Sequence, residues 1–265
     1  MRSIDGGRPA KFVVIWGSAK SDLSRLNRFY IAGPHQTGAT LQLDAERSNY
    51  VCRVLRMQEG DALDIFDGQG GLFHCALQTA HLKRAVIKIL KPMPLAPQPT
   101  LAPTIALSLL KGQAMDRAIQ QATELGVRRI WLLNAARSNI TLKDQRLEQK
   151  LEHWRRIVGA ACEQCGQLWL PEVLQPMSVS QCLTELSESV TPLIFDPSGA
   201  VMPAAVDMAQ PLVLIGPEGG WSDAEMALFQ QRYMTVYRLG DTILRAETMP
   251  AVALALVQQA RGWRS

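Results

Sequence analysis

The sequence predicts an α/β protein, in which a small β-barrel is followed by a larger domain of alternating strands and helices. From residue 27 to residue 91, short apolar runs are separated by turn sequences, as in small barrels. Residues 92–103 contain five prolines, which exclude a regular helix and indicate a linker between domains. In residues 104–265, strand and helix patterns alternate, which is typical of a doubly wound domain around a parallel sheet.

In the N-terminal part, strands are expected where apolar and polar residues alternate over a few positions. They are predicted over 28–31, 40–43, 61–66, 72–77 and 85–90, with one short helix over 45–55. The glycines of Phe66-Asp-Gly-Gln-Gly-Gly71 could suggest a nucleotide-binding loop, but such a loop must open a helix. Because a strand follows here, a hairpin turn is predicted. Residues 1–26 form an extension with one apolar run, 12–16, and the sequence does not reveal its role.

The C-terminal part alternates between strand and helix signals. Strands are predicted over 104–110, 129–133, 193–195, 212–215 and 236–239, and helices over 115–125 and 145–166. Ser222-Asp-Ala-Glu225 has the spacing of a capping box, which marks the start of another helix. A final helix is expected to be capped by Thr248 or Met249, with Pro250 in its first turn.

Composition narrows the class of protein. With 47% hydrophobic and 20% charged residues over 265 positions, the chain can bury a sizeable core. No apolar run is long enough to span a bilayer and the N-terminus lacks the apolar region of a signal peptide, so a cytoplasmic location without a membrane partner is expected. Residues 1–92 carry 13 Lys and Arg against 8 Asp and Glu, which is compatible with RNA binding by this part.

The five cysteines are odd in number and scattered, which argues against a disulfide framework. Cys162 and Cys165 have a CxxC spacing, but no second pair or histidine cluster completes a zinc site. We therefore expect structural thiols and no metal centre.

Two loops in the C-terminal part have the features of a binding site. Gly216-Pro-Glu-Gly-Gly220 and the loop that begins at Gly240 each follow a short apolar strand and lead into a helix. Ligands of parallel α/β sheets bind beyond the C-terminal ends of the strands, and glycines let the backbone approach them closely. The four histidines are far from these loops in sequence, and no nucleophile triad is evident. The chemistry is therefore expected to come from a cofactor, supported by acidic and basic side chains.

These loops, and several other segments, resemble the RsmE family of the SPOUT superfamily. The resemblance covers residues 27–262 and is carried by Gly216-Pro-Glu-Gly-Gly220, Leu239-Gly240, Ile243-Leu-Arg-Ala-Glu-Thr248, Lys111-Gly-Gln-Ala-Met115, Gln121-Ala-Thr-Glu-Leu-Gly126, Ala136-Arg-Ser138, Glu163-Gln164, Val54-Leu-Arg-Met57, Gly60-Asp61 and Phe66-Asp-Gly68. It implies an S-adenosyl-L-methionine-dependent methyltransferase that acts on N3 of one uridine in 16S ribosomal RNA. It also implies a PUA-like RNA-binding barrel, a trefoil knot in the C-terminal domain, and a homodimer with the active site near the subunit interface.

The resemblance also implies roles for individual residues. The cofactor-binding set is Ile215, Gly216, Gly219, Gly220, Leu239, Gly240, Ile243, Leu244 and Thr248. Glu218 and Arg245 are the catalytic candidates: Glu218 as the base or as a partner of the sulfonium charge, and Arg245 as a contact of the RNA phosphate or of the anionic base. Glu247 is expected to pair with Arg245. Candidate RNA contacts are Arg28, Arg53, Arg56, Lys111 and Arg137.

Two other functions remain open on the sequence. One is a SPOUT enzyme that methylates the ribose 2′-hydroxyl of RNA, and the other is a ribosome-assembly factor that binds RNA without catalysis. The sequence does not identify the proton acceptor.

Overall fold

The computed structural model describes residues 27–140, 142, 144–203 and 208–263. The predicted extension over 1–26, with its apolar run over 12–16, lies outside the described residues. Across the described ranges, no helix is both long enough and apolar enough to cross a membrane.

The described N-terminal strands form one curled, five-stranded sheet in the order β1-β3-β4-β5-β2. The strands are β1 (Arg28–Tyr30), β2 (Thr40–Gln42), β3 (Ala62–Phe66), β4 (Leu72–Thr79) and β5 (Val86–Pro92). β1 is parallel to β3, and the other pairs are antiparallel. Alternate residues such as Leu63, Ile65 and Ile87 bury one face, which confirms the period-two pattern. The predicted hairpin turn at 67–71 is present, since Phe66 pairs with Leu72 across it.

The single helix predicted over 45–55 is in fact two segments, α1 (Ala45–Asn49) and a π-helical turn over Tyr50–Val54. The Asp44 carboxylate caps α1 by accepting the Arg47 N–H at 2.7 Å. In the wider turn, the Leu55 N–H donates to the Tyr50 carbonyl. This widening buries Val51 against the first sheet, a tertiary contact that apolar spacing alone does not distinguish from an ordinary α-helix.

The second sheet is parallel throughout, with the order β12-β10-β11-β6-β7-β8 in the described part of the chain. Its strands are β6 (Thr104–Ser108), β7 (Arg129–Asn134), β8 (Glu172–Val173), β9 (Met177–Ser178), β10 (Val190–Val201), β11 (Gln210–Ile215) and β12 (Val236–Arg238); β9 also pairs with β7. All five predicted strands are present. β8 and β9 were not predicted, because two residues are too few to show a periodic pattern.

Helices cover both faces of this sheet, as predicted for a doubly wound domain. They are α2 (Gln113–Glu124), α3 (Asp144–Cys165), α4 (Val179–Thr184), α5 (Asp223–Gln231) and α6 (Met249–Ala260). In β11, Val213 and Ile215 belong to the core shared with α2, α3 and α6, whereas Leu212 and Leu214 face α4 and α5. The predicted capping box at Ser222 is confirmed. Thr248 stands at the N-cap of α6 without a side-chain bond, and Pro250 lies in the first turn.

The first sheet packs against α3 of the second part. The Tyr30 ring lies against Gly159, where a Cβ atom would stand 3.2 Å from it. The Tyr30 N–H donates to Glu163 Oε1 at 2.8 Å, and Arg28 Nη1 donates to the Gly166 carbonyl at 3.0 Å. These contacts connect the N-terminal sheet to the C-terminal half of one helix.

Candidate active site

A cavity of about 240 Å³ lies at the C-terminal ends of β11 and β12 and beside the middle of β10, between the two predicted glycine loops. Its walls are formed by Phe195, Asp196, Pro197, Ile215, Gly216, Pro217, Glu218, Gly220, Tyr237, Arg238, Leu239, Gly240, Asp241, Thr242, Ile243, Leu244, Ala246 and Met249. This position follows from the parallel pairing, because register places Phe195 of β10 beside Ile215 of β11.

Most of the predicted cofactor-binding residues meet in this cavity. Those on its walls are Ile215, Gly216, Gly220, Leu239, Gly240, Ile243 and Leu244, and the catalytic candidate Glu218 is beside them. Gly219, Arg245 and Thr248 are in the same loops but do not line the cavity.

The third wall, formed by Phe195, Asp196 and Pro197, was missed by the sequence reasoning. Phe195 ends the predicted strand over 193–195 and the other two follow it, whereas in the structure all three lie inside β10, beside the ends of β11 and β12. Their position after a predicted apolar strand was the available signal, but they carry no glycine motif that would mark a binding loop.

The first loop depends on glycine at two positions for different physical reasons. At Gly216, a Cβ atom would stand 3.2 Å from the Trp221 ring, so a side chain there would press on the indole. Trp221 is itself held by a bond from Nε1 to the Phe195 carbonyl at 3.1 Å. At Gly220, φ is +68°, a left-handed conformation that side chains disfavour.

Two pairs of charged side chains lie at the second loop. Arg238 Nη1 donates to the Gly240 carbonyl at 3.1 Å and forms an ion pair with Asp241. Arg245 is 85% exposed, and its Nη1 lies 3.9 Å from Glu247 Oε1, so the expected pair is a loose one. Ile243, which also lines the cavity, is 81% exposed.

The charges on the cavity walls favour a ligand with positive charge. Arg238 is paired with Asp241, whereas Asp196 and Glu218 have no basic partner among the described residues. Apolar side chains such as Leu239 and Leu244 form the rest of the lining, together with loop backbone. This combination fits the predicted cofactor, since S-adenosylmethionine joins a positive sulfonium to an adenine ring with apolar faces.

The predicted RNA contacts fall into two groups. Arg53, Arg56 and Lys111 are exposed, and their side chains make no hydrogen bond or ion pair within the described structure. Arg28 and Arg137 are instead engaged internally: Arg28 at the end of α3, and Arg137 at the first glycine loop.

The cysteines lie away from this cavity. All five are free, and no group of three or more metal-binding side chains occurs within the described ranges. A hydrogen bond from the Cys162 thiol lowers the pKa of Cys165 to about 7, against the opposing effect of burial. The same bond, together with burial, raises the pKa of Cys162.

The fold and the site together define an RNA methyltransferase. The family described as RNA methyltransferase domain matches residues 97–258, and the family described as RNA methyltransferase PUA domain matches residues 43–90. The chain belongs to the family of the ribosomal RNA small subunit methyltransferase E. It is similar to the protein of that name from Synechocystis sp., with 34% identity over 238 residues, which cover 87% of this chain and 76% of the relative.

Solved structures support the same family. A methyltransferase from Legionella pneumophila, in complex with bound cofactor SAM, aligns with a TM-score of 0.80 and 30% identity over 89% of this chain and 98% of that chain. The ribosomal RNA small subunit methyltransferase E from Neisseria gonorrhoeae, bound to S-adenosyl methionine, aligns with a TM-score of 0.78 and 28% identity over the same shares.

Proposed function

We propose that this chain is an S-adenosylmethionine-dependent methyltransferase that modifies N3 of one uridine in the 16S ribosomal RNA of the small subunit, in the cytoplasm. The observation that carries the proposal is the cavity between the two glycine loops, with its excess of acidic side chains. Relatives with this fold have been crystallised with S-adenosylmethionine, which supports the choice of cofactor.

The cofactor would be held by the two loops. The predicted set of Ile215, Gly216, Gly220, Leu239, Gly240, Ile243 and Leu244 lines the cavity, while Gly219 and Thr248 would act by shaping the loop backbone. When bound, S-adenosylmethionine supplies a methyl group on a positively charged sulfur. The acidic walls and the apolar lining would orient that group and limit the access of water.

The chain's own contribution to the chemistry is to remove a proton from the base. Uridine N3 is protonated at neutral pH and is a poor nucleophile until that proton leaves. Glu218 is exposed on the wall of the cavity, so its carboxylate is placed to accept the proton or to oppose the sulfonium charge. Arg245 belongs to the second loop, is 85% exposed and is only loosely paired with Glu247, so its guanidinium can contact RNA phosphate or the developing anion.

Glu218→Gln separates the two roles of Glu218. If it is the base, the substitution lowers the turnover rate by at least about a hundredfold and removes the acidic limb of the pH–rate profile. If it only opposes the sulfonium, the substitution raises the Kd for S-adenosylmethionine and leaves the pH profile unchanged. Full turnover with unchanged cofactor affinity would contradict both roles.

RNA binding would use the N-terminal part. Residues 27–91 would form the PUA-like barrel, and 92–103 would link it to the knotted methyltransferase domain over 104–265. The unpaired guanidinium groups of Arg53 and Arg56 support this assignment, because they can neutralise phosphates. The affinity for RNA is then expected to fall steeply with salt.

A homodimer with a trefoil knot is the proposed assembly. The exposed apolar side chains of Ile243 and Leu256, at the second loop and on α6, support a contact between subunits close to the cavity. The packing of α6 against both α2 and β11 is compatible with a knotted path. Sedimentation at several concentrations would measure the oligomeric state.

The decisive experiment is mass spectrometry of 16S RNA nucleosides from a strain that lacks this protein. Loss of 3-methyluridine, restored by the wild-type chain, is expected. Loss of a 2′-O-methylated nucleoside would instead indicate a ribose methyltransferase. No change in any nucleoside would indicate an RNA-binding assembly factor.

A further inference from the structure

Arg137 is placed to shape the first glycine loop rather than to contact RNA. It belongs to the loop over 135–139 that follows β7, at the same sheet edge as the cavity. Its Nη1 donates to the Trp221 carbonyl at 2.9 Å and to the Gly219 carbonyl at 3.4 Å. We propose that Arg137 is a positioning residue that holds residues 216–220 in the cofactor-binding conformation, an inference that rests on the proposed function.

Packing at Gly219 supports this role. A Cβ atom on Gly219 would stand 3.2 Å from the Arg137 Cβ and 3.4 Å from the Arg137 carbonyl. The loop therefore lies directly on the stem of the arginine side chain. This contact explains why Gly219 does not line the cavity: it faces Arg137 on the other side of the loop. A side chain at Gly219 would therefore press on Arg137, so the packing of the neighbouring loop favours glycine at this position.

Further hydrogen bonds join the loop over 135–139 to the segment that follows the glycine loop. Glu225, which is 6% exposed, accepts the Ala136 N–H through Oε1 at 2.9 Å. Its other oxygen accepts the Ser222 N–H at 2.8 Å and closes the capping box of α5. The Ser138 hydroxyl donates to the Leu109 carbonyl at 3.3 Å, at the end of β6. The loop over 135–139 is thus bonded on one side to β6 and on the other to the segment that carries the glycine loop.

The chemistry of arginine distinguishes this role from a phosphate contact. A guanidinium presents its N–H donors in a rigid plane. Here Nη1 donates to both carbonyls while Nη2 donates to Asp223 Oδ1 at 3.4 Å, so the bond to Asp223 fixes the plane in which Nη1 meets the loop. An ammonium group keeps the charge but not the planar fork. If Arg137 acts through its charge on RNA, Lys should largely replace it. If it acts through the two carbonyl bonds, Lys should fail almost as completely as Ala.

The test compares Arg137→Ala and Arg137→Lys with wild type, using Arg155→Ala as the control. Arg155 is exposed on α3 and makes no bond within the described structure, so its loss removes the same charge without touching the loop. Calorimetry with S-adenosylmethionine is expected to show a Kd about tenfold higher for both Arg137 variants, the size expected for losing a charge-assisted bond. The KM for the cofactor should rise while kcat at saturating cofactor is retained, and the unfolding temperature should stay close to that of wild type.

RNA binding tests the alternative role of Arg137, a direct contact with RNA phosphate. The salt dependence of RNA binding is expected to be the same in Arg137→Ala as in wild type. If the salt dependence of RNA binding by Arg137→Ala were weaker by the amount expected for one lost phosphate contact, with cofactor affinity unchanged, the proposal would be overturned and an RNA role restored. Wild-type cofactor affinity in Arg137→Lys would also overturn it. Failure of the wild-type chain to bind S-adenosylmethionine would instead overturn the proposed function, and this inference with it.

Discussion

At the scale of single residues, Gly220 and Gly262 have the same backbone conformation in different surroundings. Both have φ of +68°, in the left-handed region. Gly220 lines the cavity, with Asp196 Oδ2 3.6 Å from the position of an added Cβ atom. Gly262 follows α6 and has nothing within 4 Å of that position. A difference in cofactor affinity between substitutions at the two sites therefore reports on the cavity.

Gly220→Ala is expected to lower the free energy of unfolding by about 1–2 kcal/mol, the cost of a left-handed conformation for a residue with a Cβ atom. It should also weaken the binding of S-adenosylmethionine, because the loop relaxes to relieve the strain. Gly262→Ala is the matched control, with a similar loss of stability and unchanged affinity. Equal cofactor affinity in Gly220→Ala and wild type would contradict the loop's role in binding.

Cys165 is expected to be the most reactive thiol of the described chain near neutral pH. The bond from Cys162 holds the pKa of Cys165 at about 7, whereas burial raises the pKa of Cys75 and Cys182 to about 12. Alkylation followed by peptide mass spectrometry should modify Cys165 first, with a rate that rises through pH 7. In Cys162→Ala, the midpoint should move up towards the ordinary thiol value. Preferential labelling of Cys75 or Cys182 would show this reasoning to be wrong.

The lowered pKa of Cys165 also makes the stability of the fold depend on pH. Because the pKa of Cys165 is lower in the folded chain than in the unfolded chain, its ionised form favours folding above the unfolded value. That contribution is lost as the pH falls through about 7.

At the scale of secondary structure, two helices begin with the same capping box. In each box, a serine side chain caps the helix and a Gln or Glu three residues later bonds back to the serine N–H. Ser222 caps α5 with Glu225, and Ser178 caps α4 with Gln181. Only α5 directly follows the first glycine loop. The two caps therefore make the same local contribution but differ in what they hold in place.

Ser222→Ala and Ser178→Ala are each expected to lower the free energy of unfolding by about 1 kcal/mol, the usual value of an N-cap. Chemical denaturation measures this loss. Only Ser222→Ala should also raise the Kd for S-adenosylmethionine, because fraying of the first turn of α5 frees the residues just before it. A similar change of affinity in both variants would contradict this coupling.

At the scale of the whole molecule, one carboxylate of α3 connects the two parts of the chain. Glu163 accepts the Tyr30 N–H at 2.8 Å and lies 3.6 Å from Arg47 Nη2. Backbone bonds near the linker add to this contact, from the Gly70 N–H to the Leu168 carbonyl and from the Leu170 N–H to the Gly68 carbonyl. The N-terminal sheet is therefore positioned by contacts between groups that are far apart in the sequence.

Glu163→Ala is expected to lower the free energy of unfolding by about 1–3 kcal/mol, because it leaves the partly buried Tyr30 N–H without an acceptor. Hydrogen exchange should show faster exchange at β1 and unchanged protection of β6 and β7. Glu152→Ala serves as the control, since Glu152 is exposed on the same helix and makes no bond within the described structure. Unchanged exchange at Tyr30 in Glu163→Ala would exclude the role of this carboxylate.

The sequence by itself determined the strands of both sheets other than β8 and β9, the capping box at Ser222 and the two loops whose residues meet in the cavity. These features are readable because alternation, capping and glycine content depend on neighbouring residues. The π-helical turn at 50–54 and the two-residue strands β8 and β9 were not readable, since they depend on contacts with distant elements.

The tertiary structure alone decided which groups complete the site. Strand order places β10 between β11 and β12, which brings Asp196 to the cavity as a third wall. It also places Arg137 against carbonyls that lie more than eighty positions away in the chain. A charged residue in a loop has the same local pattern whether it faces solvent, RNA or another loop. Only the folded chain shows which of these surroundings it has, because they are made of residues remote in sequence.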